Sequence, residues 1–197
     1  ERLYIKNMDI TILWAFLLDL ILGDPRRPTH PVILIGHLIG FLEKKFRRIF
    51  DKPRDLKRAG VVLWLVTIVT VYFITLLSIR VAYKIGLWFG HTVSIWLMYT
   101  TLSVRNLADE AMGIFKEIQN GNMVGARKRL AGIVGRDTMD LNISEISRAT
   151  IETVAENTVD GIISPLFYAF IGGVPLAMTY KAVNTLDSMV GYKNDKY

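Results

Sequence analysis

Residues 162–178 read IISPLFYAFIGGVPLAM, an apolar stretch that two prolines and a Gly-Gly pair interrupt. Clusters rich in acids and amides flank this stretch, in residues 151–161 before it and 180–195 after it. Charged groups beside lipid are costly and are usually functional, and broken helices at membrane depth are tolerated where they line a cavity. The pattern therefore favours a membrane-embedded enzyme or transporter over a soluble domain.

The course of this apolar stretch has two alternatives. If residues 162–178 crossed a bilayer completely, they would carry residues 181–197 to the opposite face. The proline and glycine breaks also permit a re-entrant hairpin that returns to the side from which it entered. We favour the re-entrant course, because the two flanking polar clusters resemble halves of one site.

Three further apolar segments precede this stretch. Residues 61–79 carry no charge and form the clearest transmembrane helix, and residues 85–104 are similar, with His91 as their one ionisable group. The short link between them predicts an antiparallel hairpin. Ile10–Leu22 is short for a span of about 20 residues and contains Asp19, so it is a short or tilted span or an interfacial helix.

The polar parts of the chain have helical apolar spacing of their own. The first of these segments, residues 32–50, predicts a helix that lies on the membrane surface. The last, residues 142–157, begins with Asn142, which predicts a capping box with Glu145. The segments with this amphipathic pattern are residues 32–50, 105–119, 124–134 and 142–157.

The charge distribution predicts an orientation. Lys and Arg outnumber Asp and Glu by 24 to 18, and the basic residues cluster in 23–60 and 105–148, on either side of the predicted hairpin. The positive-inside rule places both clusters in the cytoplasm and explains the excess without nucleic acid binding. The absence of cysteine excludes disulfides and thiolate metal sites. We therefore predict an all-α, polytopic membrane helix bundle in the inner or plasma membrane, with amphipathic cytoplasmic helices and a broken or re-entrant helix.

The domain organisation follows from these segments. Residues 8–197 are expected to form a single membrane-embedded domain, with Met8 as the native start and residues 1–7 as a remnant before it. The first apolar segment lacks the small-residue cleavage site of a secretory signal peptide.

Two short motifs lie outside the apolar stretch. In GDPRRPTHP, residues 23–31, a proline-stiffened loop would present Asp24 and His30 to a substrate or metal; on this motif alone, a helix stop followed by a surface turn is the favoured alternative. In GRDT, residues 135–138, Arg136 and Asp137 would hold phosphate or metal, or equally would pair with each other or cap a helix.

An acidic stripe leads into the apolar stretch. The stripe consists of residues at steps of three, four and four, namely Glu145, Arg148, Glu152 and Glu156. Asp160 extends the stripe if the helix continues, and Asn157 is next to Glu156. Carboxylates one helical turn apart can share Mg²⁺, which prefers hard oxygen ligands. The alternative is a solvated face with local Glu–Arg pairs. We favour the functional interpretation, because the stripe runs directly into the predicted membrane boundary.

A second polar cluster follows the apolar stretch. On a helix, Lys181, Asn184 and Asp187 share one side, and Lys193 comes after a glycine. The lysines would neutralise phosphate, and the amide and carboxylate would hold Mg²⁺. The alternative is an ordinary polar helix end, which the density of amides and acids disfavours.

Together these residues resemble a known family, the membrane-bound adenosylcobinamide-phosphate synthases of cobalamin biosynthesis. The resemblance rests on LLDLILGDPRRPTHPVILIGHLI (residues 17–39), GRDT (135–138) and the segment 145–197 that ends in GYKNDKY. It covers the chain from Met8 onward. Members of the family continue beyond the GYKNDKY motif with further helices, so the chain resembles the N-terminal portion of the family.

The resemblance implies a reaction and a set of roles. Such enzymes join adenosylcobyric acid to aminopropanol or its phosphate through an amide bond, using ATP and Mg²⁺, in contact with the lipid bilayer and with other cobalamin-assembly enzymes as candidate partners. Nucleic acid is not an expected partner. The candidate residues are Asp24, His30, Glu152 and Glu156 for catalysis, Arg136, Arg148, Asn157, Lys181 and Lys193 for substrate or phosphate, and Asp137, Asp160, Asn184 and Asp187 for metal.

Two other functions fit a membrane bundle. One is a non-enzymatic regulator or scaffold on the same fold, which the full set of polar motifs disfavours. The other is a transporter, which the broken helix and nearby polar groups suggest. A transporter built from inverted repeats would show internal symmetry, and none is visible in the sequence.

Overall fold

A computed structural model describes residues 2–23, 30–49, 55–135 and 137–191, with side chains from Ile10 onward. All regular secondary structure within these ranges is helical and no strand occurs there, which confirms the all-α prediction. The helices are α1 (Arg2–Leu22), α2 (Pro31–Ile49), α3 (Leu56–Ile85), α4 (Leu87–Tyr99), α5 (Val104–Gln119), α6 (Met123–Ala131), α7 (Ile143–Thr158), a π-helical turn (Val159–Ile163) and α8 (Ser164–Val190).

The predicted transmembrane pair differs between its two members. Helix α3 extends the predicted segment 61–79 at both ends and is 30 residues long. Helix α4 has only 13 residues, about 20 Å at 1.5 Å per residue, so the predicted helix 85–104 was wrong at its C-terminal end. Its last turn closes because the hydroxyls of Thr100 and Thr101 donate to the carbonyls of Leu97 and Met98, at 2.8 and 2.7 Å.

Two helical runs in the described chain are long and apolar enough to cross a membrane, Leu56–Ile85 and Ile143–Val190. Only 22% of the most apolar window of the first run is buried, so most of its apolar side chains face outward. Large exposed side chains on α3 include Trp64, Leu65, Val69, Phe73, Ile74 and Leu77. An outward-facing apolar helix of this length has the length and composition of a membrane span.

The second run is not one straight helix. The rings of Tyr168 and Tyr180 stack with their centroids 5.0 Å apart, whereas the same twelve-residue separation along a straight helix is about 18 Å. The chain reverses at Gly172 and Gly173, which have non-helical backbone angles. Helix α8 is therefore a hairpin with arms 164–171 and 174–190.

The conformation of Gly173 explains why the reversal occurs there. Its φ of 69° and ψ of −169° lie in a region that is essentially restricted to glycine. Pro175 then occupies the first turn of the second arm, where its missing N–H is not needed. This reversal agrees with the chain path of the re-entrant alternative and shows that residues 162–178 do not form one straight helix, while their course relative to a membrane stays a prediction.

The hairpin packs into the larger of two apolar cores. This core joins α1, α2, α3, α4 and α8. Helix α2 contributes Ile35, Ile39 and Leu42 from one face, which confirms the amphipathic pattern predicted for residues 32–50. One buried representative from each of these helices is Ala15, Ile39, Leu63, Met98 and Ala177.

Helices α5, α6 and α7 form a separate cap with its own core, built around Ile114, Leu130 and Ile146. The predicted capping box of α7 is confirmed: the Glu145 N–H donates to the Asn142 side chain at 3.0 Å, and the Asn142 N–H donates to Glu145 at 2.8 Å. Helix α6 ends at Ala131, three residues before the predicted end. The cap leads directly into the π-helical turn and the hairpin.

Candidate functional site

Asp160 lies in the π-helical turn that links α7 to the hairpin, and its side chain is partly buried. One carboxylate oxygen accepts a hydrogen bond from the Tyr180 hydroxyl at 2.7 Å, and the other accepts from the Asn184 amide at 3.1 Å. Both donors come from the second arm of the hairpin. Single π-helical turns inside α-helices frequently occur at functional sites, so this cluster is the candidate centre.

The hairpin creates this cluster from residues that are remote in sequence. Tyr180 and Asn184 are one turn apart on the second arm and therefore share a face. Tyr168 on the first arm stacks on Tyr180 at an interplanar angle of 21°, which holds the phenol beside Asp160. The predicted metal ligands Asp160 and Asn184 are thus brought into direct contact, and Lys181 is adjacent in sequence to Tyr180.

The other side of the π-helical turn rests on the junction between α4 and α5. The Ser103 N–H donates to the Gly161 carbonyl at 3.1 Å. At the next residue, the Val104 N–H donates to the Asp19 carboxylate of α1 at 2.6 Å. Asp19 is fully buried, so its carboxyl group lies within the bundle.

The start of the GDPRRPTHP loop contacts the same junction. Gly23 has a φ of 68°, and a Cβ there would lie 3.1 Å from the Asn106 side chain and 3.2 Å from that of Arg105. The Tyr99 hydroxyl also donates to the Gly23 carbonyl. Asp24, a predicted catalytic residue, lies outside the described residues, but the loop that carries it begins at the junction that also supports the Asp160 turn.

His30 is buried at the other end of that loop, where it caps α2. Its ring Nδ1 accepts from the Val32 N–H at 3.3 Å, and its carbonyl accepts from the amides of Ile33 and Leu34 at 2.9 and 3.1 Å. These bonds explain why α2 begins at Pro31. The catalytic role of His30 stays a prediction.

The acidic stripe of α7 has mostly local contacts. Arg148 and Glu152 form an i,i+4 ion pair at 2.9 Å, with 76% and 53% of their side chains exposed. Asn157 donates to the Thr153 carbonyl at 2.9 Å, and Glu156 is exposed. This is the solvated face with local pairs that the alternative described. The catalytic roles of Glu152 and Glu156 and the substrate roles of Arg148 and Asn157 stay predictions.

The GRDT motif lies in the loop between α6 and α7. The Asp137 carboxylate accepts from the Met139 N–H at 3.0 Å, and Thr138 donates to the Arg127 carbonyl at 3.0 Å. The carboxylate of Asp137 is exposed and engaged within its own loop. Its metal-binding role stays a prediction, and Arg136 and Lys193 lie outside the described residues.

An apolar cavity of about 350 Å³ lies between the end of α2, the start of α3 and the end of α8. Asp187 lines it and lies about one helical turn beyond Asn184 on α8, while Asp160, Tyr180 and Asn184 are not among its lining residues. Its other charged lining groups are Glu43 and Arg47, which pair at 2.9 Å. Of the predicted metal ligands, Asp187 therefore lies next to the cluster and Asp137 lies in the cap.

A Mg²⁺ ion at this cluster would need hard oxygen ligands. No group of three or more His, Cys, Asp or Glu side chains suited to a metal occurs in the part of the chain that the structure describes. Asp160 and Asn184 supply a carboxylate and an amide oxygen, and the carboxylate retains acceptor capacity beside its two hydrogen bonds. These few hard donors fit Mg²⁺, which usually keeps several waters and binds substrate phosphates.

Sequence reasoning missed Tyr180, Tyr168, Ser103 and the role of Asp19. The only available signal for Asp19 was an acid inside an apolar run, which usually marks a structural or functional site. Tyr180 precedes Asn184 by one helical turn, but nothing local connects it with Asp160. Ser103 lay inside a segment predicted to be helical.

Comparison with known proteins places the chain among related sequences. Residues 12–197 match the family model described as CobD/Cbib protein. Over 183 residues, 93% of this chain, it is 48% identical to the cobalamin biosynthesis protein CobD of Citrobacter koseri and 47% identical to the cobalamin biosynthesis protein CbiB of Salmonella typhimurium. The matched part spans 57% of the length of each relative. No solved structure matches the chain.

Proposed function

Because this chain belongs to the CobD/CbiB protein family, we propose that it carries part or all of the site of an amide-forming enzyme of cobalamin biosynthesis. The reaction joins a carboxylate of adenosylcobyric acid to the amine of aminopropanol or aminopropanol phosphate and consumes ATP with Mg²⁺. The product is adenosylcobinamide or its phosphate.

The contact of Asp160 with Tyr180 and Asn184 is the observation that carries this proposal. It joins the two polar clusters that flank the hairpin into one partly buried site. An apolar cavity of about 350 Å³ lies further along α8, and its volume suits the small amino alcohol but not the much larger corrinoid. A polar cluster beside an apolar pocket is the usual setting of a small-molecule site.

The proposed chemistry balances in two steps. The carboxylate takes the terminal phosphoryl group of ATP, which forms an acyl phosphate and releases ADP. The amine then attacks the acyl carbon, the bond to phosphate breaks, and the nitrogen loses a proton to a base. Cationic groups and Mg²⁺, when bound, offset the charge on the phosphates.

The residues of the chain divide among these tasks. Asp160 and Asn184 would hold Mg²⁺, and Lys181 on the same arm would contact phosphate. Asp187 would bind metal or substrate at the edge of the cavity. His30 and Asp24 are the candidate bases for the amine proton. Glu152 and Glu156 were also predicted to be catalytic, but their exposed positions on α7 make them the weaker candidates for this role.

The same proposal includes a membrane location. Helix α3 crosses the bilayer, and the hairpin enters from the side that carries the cap. Its second arm, residues 174–190, is about 25 Å long at 1.5 Å per residue, less than the hydrocarbon thickness of about 30 Å. The exposed side chains of Phe167, Phe170 and Ile171 near its tip would contact lipid. The positive-inside rule puts the cap and the site on the cytoplasmic face of the inner or plasma membrane.

A transporter is the second candidate, and the broken hairpin is the observation that favours it. Transporter sites are formed by discontinuous helices near the bilayer midplane. Here Tyr180 and Asn184 lie near the middle of the second arm, where it meets the π-helical turn, rather than at the tip. A transporter built from inverted repeats is disfavoured because no internal symmetry is visible in the sequence.

The first experiment measures product directly. The 197-residue chain and a version extended to the length of its relatives are each purified in detergent. Each is incubated with adenosylcobyric acid, aminopropanol phosphate, ATP and Mg²⁺, and the corrinoids are analysed by mass spectrometry. We expect amide product and ADP in equal amounts from the extended chain, and loss of both when Mg²⁺ is chelated.

The outcomes separate the candidate functions. Product from the 197-residue chain would place every essential group within it, while product from the extended chain alone would assign the remaining groups to the added part. Absence of product from both folded chains would contradict the ligase. Corrinoid uptake into vesicles without product would then support a transporter.

A further inference from the structure

We propose that Asp19, a buried carboxylate in α1, is a positioning residue that holds Asp160 in place through the start of α5. The activity part of this inference rests on the proposed function, whereas the structural part does not. Asp160 is part of the candidate site itself. Asp19 lies outside the site and is linked to the Asp160 turn through the consecutive backbone amides of Ser103 and Val104.

The first step is the contact of Asp19 with α5. One carboxylate oxygen accepts from the Val104 N–H at 2.6 Å and from the Arg105 N–H at 3.4 Å. These are the first two residues of α5, whose amides have no partners within the helix. A negative charge is stabilised at the N-terminus of a helix. Asp19 is fully buried, and burying a charge is costly unless such partners compensate for it.

Two further contacts attach the end of α1 to the same place. Arg105 donates to the Leu20 carbonyl at 3.3 Å, and the backbone of Gly23 packs against the side chains of Arg105 and Asn106. The end of α1 and the following Gly23 therefore contact three successive residues at the start of α5, Val104, Arg105 and Asn106. A shift of either element would have to break several contacts at once.

The second step connects α5 with the site. Ser103 immediately precedes Val104, and its N–H donates to the Gly161 carbonyl at 3.1 Å. Gly161 is buried, and a Cβ at this position would lie 3.4 Å from the Ser103 Cβ, so the two backbones are in close contact. Asp160 is the residue before Gly161. The amides of Ser103 and Val104 thus link the Asp160 turn to Asp19.

The position of the Asp160 carboxylate needs support from outside the π-helical turn. Its carboxylate bonds to Tyr180 and Asn184 from a π-helical turn, which is a local interruption of the helix rather than a rigid segment. Functional constellations need their groups held to within about 0.5 Å by supporting contacts. The Ser103–Gly161 bond supplies such support from outside the hairpin, and Asp19 fixes the element that provides it.

The test uses Asp19→Asn, which preserves the shape of the side chain and removes its charge, and Asp19→Ala, which also removes the acceptor. Asn122→Ala is the matched control, because Asn122 caps α6 in the same manner by accepting from the Gly125 N–H at 3.0 Å. The readout is the ring resonance of Tyr180 in tyrosine-labelled protein in detergent, assigned by its loss in Tyr180→Phe.

We expect both Asp19 variants to shift the Tyr180 resonance and Asn122→Ala to leave it unchanged. In the extended chain we expect Asp19→Asn to lower kcat about 10-fold, the lower end of the range for residues that orient a site through another group, with KM changed less than kcat. Absence of product from both the 197-residue and the extended wild-type chains would contradict the proposed function, while the Tyr180 resonance would still test the positioning role.

An unchanged Tyr180 resonance in a folded Asp19 variant would overturn the inference. If both variants fail to fold, hydrogen exchange of the wild-type chain decides the question. Slow exchange at the amides of Ser103 and Val104, with faster exchange at the exposed start of α6, supports the proposed linkage. Fast exchange at either of the two junction amides contradicts it.

Discussion

Glu152 and Asp160 lie two helical turns apart on one helical run, yet their surroundings differ. Glu152 pairs with Arg148, four residues away on an exposed face. Asp160 bonds to side chains 20 and 24 residues away, brought back by the reversal of the hairpin. Exposed pairs contribute about 0–1 kcal/mol to stability, whereas a partly buried carboxylate with distant partners depends on the whole local fold. Residues that belong to one periodic pattern in the sequence can therefore lie in different settings, one on a solvated face and another in a partly buried site.

The largest expected effect comes from removing the carboxylate of Asp160. We expect Asp160→Ala to lower kcat about 10²–10³-fold, comparable to the loss of one stabilising group in an active site. Asp140→Ala is the matched control, because Asp140 is an exposed acid in the α6–α7 loop. Steady-state amide formation by both variants is the measurement. Turnover of Asp160→Ala equal to that of the control would remove Asp160 from the site.

The next effect concerns the reversal that brings the partners of Asp160 together. Gly173→Ala forces a side chain into a backbone region that is essentially glycine-only, so we expect a loss of about 1–3 kcal/mol in the free energy of unfolding. Gly172→Ala is the comparison variant, since its φ of −140° is accessible to alanine although its Cβ would lie 2.8 Å from Cδ2 and 3.0 Å from Cβ of Leu176, so it adds crowding without left-handed backbone strain. Denaturant unfolding in detergent should rank Gly173→Ala below Gly172→Ala. The reverse order would argue against the sharp reversal.

A smaller effect is expected from the hydrogen bond of Tyr180. Tyr180→Phe retains the ring that stacks on Tyr168 and removes the donor to Asp160. We expect kcat/KM for amide formation to fall about 10-fold, as for other groups that orient a catalytic residue. Tyr72→Phe on α3 serves as the control for loss of a phenol hydroxyl elsewhere. If the two variants behave alike, the Tyr180–Asp160 bond has no role in turnover.

The smallest effect is expected on the acidic stripe. For Glu152→Gln and Arg148→Ala, a double-mutant cycle should give a coupling of about 0.3–0.5 kcal/mol in unfolding free energy, as for exposed i,i+4 pairs. Turnover of Glu152→Gln should stay close to that of wild type, because Glu152 is 53% exposed and its described ion pair is local; its stability should change by about 0.5 kcal/mol or less. A 100-fold loss would instead restore Glu152 to the catalytic set that the sequence suggested.

The positions of the helices and their buried faces were more predictable than the exact residues at which they end. The spacing of Ile35, Ile39 and Leu42 predicted the buried face of α2, and the Asn142–Glu145 pair predicted a capping box that the structure contains. These features depend on residues within one or two turns of each other. The end of α4 was missed because Thr100 and Thr101 close the helix with side-chain bonds to nearby carbonyls, while their neighbours remain apolar.

The site was predictable only in part. Asp160 and Asn184 were selected from their residue types and spacing, and the structure places them in contact. The same reasoning also selected Glu152, whose described ion pair is local, and it overlooked Tyr180 and Asp19. Residue type identifies groups able to bind a metal or move a proton, but it does not distinguish a solvated face from a buried one.

The sequence by itself determined the helical class, the amphipathic faces, the caps and the place where the apolar stretch would break. Each of these follows from local periodicity or from the backbone limits of glycine and proline. Only the tertiary structure decided that the break is a full reversal, that Tyr180 and Asn184 meet Asp160, and that Asp19 supports the turn through α5. A Gly-Gly pair permits many chain directions, and the packing of the hairpin against α3 and its neighbours selects one of them.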